Sequence, residues 1–253
     1  MKNQLRGIII READYGENDK IINILTDREG IVSAIVKRAK NVKCNKGSIV
    51  QCFSYCHFSF YVGKNGYIVD DFEILELFWN IRNNLYNLSL AQYFSQLCFA
   101  FSPDSNSSGE LLRLFLNVLF YVANGKKSLS VLKVIFEIRG CTICGYMPNL
   151  IGCVRCKSYD CKDMYFSVGD GILVCGKCLK KLRNEEYRNF VGYKLSPAVF
   201  KALRYIVYSE FDKLFGFNIS ESFEKELEYI SEKYIYYHIG SGFKALDFYK
   251  SLF

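Results

Sequence analysis

Two C-x-x-C pairs, Cys153/Cys156 and Cys175/Cys178, constrain this chain more than any other feature. Between them, MYFSV (164–168) and ILVC (172–175) read as short strands joined by Gly169-Asp170-Gly171, a turn that folds the second pair back onto the first. Four thiolates gathered in this way make a tetrahedral cage for one Zn²⁺ ion. A catalytic zinc keeps one position open for water, whereas four sulfurs fill the coordination sphere. The predicted ion is therefore structural, held by Cys153, Cys156, Cys175 and Cys178. The bland alternative is a set of buried free thiols. Cys161 reads as a bystander. Cys141 and Cys144, one turn apart at the end of a predicted helix, are the competitors for the metal and, in a different reading, a redox dithiol.

That reading needs a reducing compartment. The amino-terminal MKNQLRGIII lacks the apolar stretch and small-residue cleavage site of a signal peptide, and no run reaches the roughly 18 apolar residues of a membrane helix. The expectation is a soluble, cytoplasmic protein with no membrane partner, in which paired cysteines hold metal rather than form disulfides.

The first 75 or so residues read as strands: LRGIIIRE (5–12), KIINILTD (20–27), IVSAIVKRA (31–39), QCFSYCHFSFYVG (51–63) and YIVDDFEIL (67–75). Five short antiparallel strands fit a small barrel, since closure removes exposed edges. In the fourth, Cys56, Phe58, Phe60 and Val62 are expected on one face, and Phe53, Tyr55, His57 and Tyr61 on the other. From Leu77 the period turns helical, over 79–101, 110–124, 128–144, 197–209 and 220–239. Ser196-Pro197 opens one of these helices as N-cap and first-turn proline. The predicted class is α+β: an OB-fold barrel (1–76), an all-α domain in two parts (77–148 and 183–253), and a zinc ribbon inserted at 149–182.

Enzyme motifs are missing. His57 and His238 sit in no H-E-x-x-H or H-x-E pattern, and neither a G-x-x-x-x-G-K-[ST] nor a G-x-S-x-G occurs. Asp70-Asp71 would point to opposite faces of a strand. Charge is more informative. The net charge is +7, and no acidic residue occurs between Glu29 and Asp70, a window holding Lys37, Arg38, Lys40, Lys43, Lys46 and Lys64. A one-signed strip beside aromatic strands suits a single-stranded polyanion. With Arg11 and Lys20, the cations Lys37, Arg38, Lys40, Lys43 and Lys46 form the predicted DNA-binding set. Phe53, Tyr55 and Tyr61 are its candidate base stackers, with packing against the helices the alternative for these rings.

GIIIREADYGENDKIINILTDREGIVSAIVKRAK, FEIRGCTICGYMPNLIGCVRC and the tail GFKALDFYKSL, taken in order, resemble the bacterial RecO recombination-mediator family along essentially the whole chain. One departure is Gly140-Cys141, which follows Arg139 where an aliphatic pair is usual. The resemblance implies an OB-fold, a helical domain and a zinc ribbon. It also implies a non-enzymatic role in DNA repair: binding single- and double-stranded DNA, annealing complementary strands, and acting with RecR to load RecA onto strands coated by single-strand-binding protein. Contact with that protein's acidic C-terminal tail would need an apolar pocket rimmed by cations, for which Lys133 and Arg139 are candidates. The competing readings are a zinc-ribbon RNA-binding or transcription-associated adaptor and a thiol oxidoreductase using Cys141 and Cys144.

Overall fold

The computed structural model describes residues 3–40, 50–63, 66–159, 161–182 and 191–253. Five strands, β1 (Asn3–Tyr15), β2 (Asp19–Thr26), β3 (Ile31–Val36), β4 (Tyr55–Gly63) and β5 (Gly66–Glu76), close a barrel in the order β1-β2-β3-β5-β4. All neighbours pair antiparallel except β3 and β5, which run parallel at Ala34–Tyr67 and Ile35–Ile68. Alternate residues fill the interior: Ile22 and Ile24 from β2, Val32, Ala34 and Val36 from β3, Cys56, Phe58 and Phe60 from β4. Gly7 is required where β1 meets β2, because a Cβ there would come within 2.7 Å of the Leu25 carbonyl oxygen.

The first of two compact units joins this barrel to α1 (Trp79–Arg82), α2 (Leu85–Phe101), α3 (Ser108–Asn124) and, from the far end of the chain, α8 (Lys244–Lys250). The single helix expected over 79–101 is two. Asn84 breaks it in extended conformation and caps α2 with its side chain, which accepts the Tyr86 and Asn87 amides. α8 is fastened to α2 through the Ala245 amide, which donates to Gln96, and through Phe243 packed edge-on against Tyr93.

The second unit, Ser128–Ser241, holds α4 (Leu129–Ile143), a four-stranded sheet, α5 (Gly176–Leu182), α6 (Pro197–Tyr208) and α7 (Glu221–His238). The sheet runs β6 (Asn149–Cys153), β8 (Ile172–Cys175), β7 (Met164–Ser167), β9 (Tyr193–Leu195), so the ribbon hairpin gains an outer strand on each side. Ser196 caps α6 and Pro197 takes its first turn. Phe166 of β7 stacks on Tyr234 of α7, whose hydroxyl donates to the Tyr146 carbonyl. The helices that follow Leu77 are shared between the two units.

Buried charge ties α4 to α7. The Lys133 ammonium, wholly buried, lies 3.2 Å from Glu137, 2.8 Å from Glu232 and 3.9 Å from Glu228, and Ser231 donates to Glu137. Burial works against its charge, but Glu137, Glu232 and Glu228 outweigh that and raise the Lys133 pKa above the ordinary lysine value. Lys133, a candidate from sequence for the rim of a surface pocket, is therefore unable to serve as one. Arg139 is also committed inside the unit, donating to the Ile206 and Val207 carbonyls at the end of α6.

Candidate metal centre and nucleic-acid interface

Cys153 ends β6, Cys175 ends β8, and Cys156 and Cys178 follow in the succeeding turn and in α5. The turn after Cys153 is tight. The Lys157 amide donates back to the Cys153 carbonyl, and Lys157 itself is left-handed at φ 58°. Gly152 is needed beside it, because a Cβ there would sit 2.8 Å from the Ser158 carbonyl oxygen. The result is that the ligand atoms of all four cysteines lie within 4.8 Å of one another. Tetrahedral zinc with Zn–S of about 2.3 Å requires sulfurs about 3.8 Å apart. Cys156 and Cys175 are 3.7 Å apart. The donor set thus fits a thiolate-loving divalent ion, and no other metal-binding group occurs among the described residues.

The environment prepares the first ligand. Burial disfavours the Cys153 thiolate, but the amides of Cys156, Cys175 and Arg155 outweigh this and bring its pKa down to about 6. Burial and the neighbouring thiols push Cys178 up to about 12 and raise Cys175. Cys161 pairs instead with the Ser158 hydroxyl at 3.0 Å. Cys141 is buried in α4 with its pKa well above that of an ordinary thiol, chiefly through desolvation, the opposite of a reactive redox cysteine.

On the barrel, strand alternation sorts the predicted DNA contacts. Tyr61 pairs with Ile68, and Ile68 with Ile35 of β3. Lys37, exposed, follows the end of β3 in the succeeding turn, and Tyr61 is 43% exposed. Tyr55 is half-buried on the same face of β4. Phe53 is not with them. It precedes the strand in a left-handed conformation, is buried, and packs edge-on against Phe115 of α3. It is a core residue, because residues 51–54 are a turn and not the strand expected there. Val62, expected inside, is exposed beyond the barrel rim.

The acid-free strip is not acid-free once folded. Lys37 lies 3.1 Å from Asp19, Lys40 lies 3.1 Å from Asp14, and Lys20 lies 2.5 Å from Glu12. Asp19 also accepts the Arg38 amide, and that bond, with Lys37, holds its carboxyl below the usual range. The β1–β2 hairpin carries these carboxylates to the cations across strands, which no linear window of sequence displays. The Arg11 and Arg38 side chains are exposed on the same module. Lys43, Lys46 and Lys64 lie outside the described residues.

Comparison with known proteins joins the two sites to one lineage. The family model described as Recombination protein O N terminal matches residues 1–78, and that described as Recombination protein O C terminal matches residues 82–247. The chain belongs to the RecO family. DNA repair protein RecO of Acetivibrio thermocellus is 33% identical over 246 residues, covering 97% of this chain and 95% of the relative. The proteins of the same name from Halalkalibacterium halodurans (27% identical, 98% and 94% covered) and Caldicellulosiruptor saccharolyticus (26%, 97% and 96%) are also similar over nearly their full lengths. The first family match ends just after β5, so the RecO amino-terminal module here is the closed barrel. Among the described residues, no helix is long and apolar enough to cross a membrane.

Proposed function

We propose that this RecO-family chain is a non-enzymatic recombination mediator: it binds single- and double-stranded DNA, anneals complementary strands, and with RecR helps RecA load onto strands coated by single-strand-binding protein. What supports the reading is the outer face of the barrel, where Tyr61 pairs across β5 toward the end of β3 and the exposed Lys37 and Arg38 follow that strand. Annealing needs no general base. It needs a cationic surface that lowers the repulsion between two polyanions and rings that hold bases unpaired. The carboxylates opposite Lys37 and Lys40 keep that grip modest, because phosphates must compete with Asp19 and Asp14. Modest grip suits a protein that must release the duplex it makes.

The cysteine cage takes one Zn²⁺ in this reading, and it braces the β6–β9 sheet without reacting. Cytoplasmic, nucleoid-associated location and contact with the tail of single-strand-binding protein follow from the same family role. The test is annealing of complementary oligonucleotides coated with single-strand-binding protein. The chain should accelerate it, and the combined K37A/R38A/K40A variant should lose most of the acceleration together with part of the salt dependence of binding. Unchanged annealing by that variant, or a clear preference for RNA over DNA of equal length, would refute the assignment and favour an RNA-binding adaptor.

A further inference from the structure

The second unit carries a groove that the barrel-centred reading leaves unused. Its volume is about 1110 Å³, above the roughly 300–1,000 Å³ of small-ligand sites and suited to a length of polymer. α6 forms one wall with Phe200, Arg204, Tyr205 and Tyr208. The cysteine-braced sheet and its turn form the other with Ile151, Tyr159 and Met164. We infer that this groove binds single-stranded nucleic acid, as a second strand site separate from the barrel. The inference rests on the proposed annealing function, to which it adds a place for the complementary strand.

Two properties select that occupant. The first is charge. Lys162, Lys201, Arg204 and Lys213 line the groove, and among the described lining residues the one carboxylate is Glu210, which pairs with Lys213 at 2.8 Å. Arg204 donates to the carbonyls of Leu150, Ile151 and Tyr159, so its hydrogen bonds fix it in place, and among the described residues no carboxylate pairs with it. Lys162 and Lys201 are exposed along the rim. The second is the density of rings. The Arg204 guanidinium lies over the Tyr159 ring at 3.8 Å and over the Phe200 ring at 4.1 Å, which ties both rings to one anchored cation. Tyr159 is 63% exposed and offers a flat face at the mouth of the groove. Tyr205 and Tyr208 have their hydroxyls anchored to the Lys213 and Pro148 carbonyls. Rigid rings alternating with cations are what a base-stacking, backbone-tracking channel requires. An acidic peptide would satisfy the charges but leaves the ordered rings without a purpose, so it stands as the competing outcome.

The experiment uses the full-length, metal-loaded chain and oligo(dT) containing 5-iododeoxyuridine. Photocrosslinking followed by peptide mapping should mark Tyr159 or α6 as well as the barrel. Y159A should weaken the second binding event by about tenfold, and K162A/K201A/K213A should reduce the salt slope of that event by about 2, from three phosphate contacts at about 0.7 each. Both variants change exposed side chains and should melt as the parent does. Strand binding to the barrel should persist in both, whereas annealing should fall. Crosslinks confined to the barrel, or variants that bind and anneal as the parent does, overturn the inference. So does a groove that takes an acidic, apolar-ended peptide and excludes oligo(dT). Unchanged annealing by K37A/R38A/K40A with the groove crosslinks retained would overturn the barrel reading and leave this inference standing. Failure of the parent chain to anneal at all would instead remove the function on which it rests.

Discussion

Replacing Lys133 with Met puts the buried ion cluster to a quantitative test. Met fills nearly the same volume, so the change removes a charge rather than opening a cavity. Glu137, wholly buried, would keep the Ser231 hydroxyl but lose the ammonium 3.2 Å away. Glu228 and Glu232, each with about a quarter of the side chain exposed, can turn to water, so most of the cost falls on Glu137. Breaking one side of a buried pair costs about 3–5 kcal/mol. Hydrogen–deuterium exchange of α4 and α7 peptides reads this unit alone, and protection there should fall roughly a hundredfold to several-thousandfold. Replacing both partners, in K133M/E137L, removes the stranded carboxylate and should restore most of the protection. Protection in K133M within threefold of the parent, or a double variant weaker than the single one, would refute the role assigned to the cluster.

Other outcomes follow from the same structure. Because the Lys133 pKa is raised on folding, its contribution is complete below the ordinary lysine value of 10.5 and lost as pH climbs through the raised one. Melting followed by circular dichroism should therefore lose a Lys133-dependent increment only at strongly alkaline pH. Cys175→Ser should abolish stoichiometric Zn²⁺ uptake and lower protection across β6–β9, while the barrel strands exchange as before; if Cys141→Ser or Cys144→Ser strips the metal instead, the ligand set is wrong. With Cys178 raised to about 12, metal loading at pH 7.5 should release protons, counted by calorimetry in buffers of different ionisation enthalpy; uptake without proton release would contradict a thiolate ligand set. Phe53→Ala should cost about 3–5 kcal/mol of barrel-unit stability, whereas Tyr61→Ala should leave stability intact and weaken single-strand binding about tenfold.

The barrel was legible because its information is local. Alternation in IVSAIV and CHFSF names the inward residues directly, and the C-x-x-C spacing names a cage once a hairpin separates the pairs. What escaped depends on pairing between distant segments. The charge strip looked uncompensated because Asp14 and Asp19 precede it by more than a strand, and only the β1–β2–β3 register sets them beside Lys40 and Lys37. Phe53 looked like a strand residue because its neighbours are aromatic, yet a left-handed backbone turns it into the core. Lys133 carried a readable sign that went unread: it stands among Val131, Leu132, Val134 and Ile135 with Glu137 four residues on, the spacing of a helical ion pair in an apolar setting. Arg204 had no sign at all, since its partners are backbone carbonyls from another part of the chain.

The first unit is assembled from both ends of the polypeptide, with Gly242–Phe253 returning to cover α2. During synthesis, every residue of the second unit is made before that cover. The first unit, begun before the second, is thus completed only after it, and until then the face of α2 that Gly242–Phe253 covers stays open.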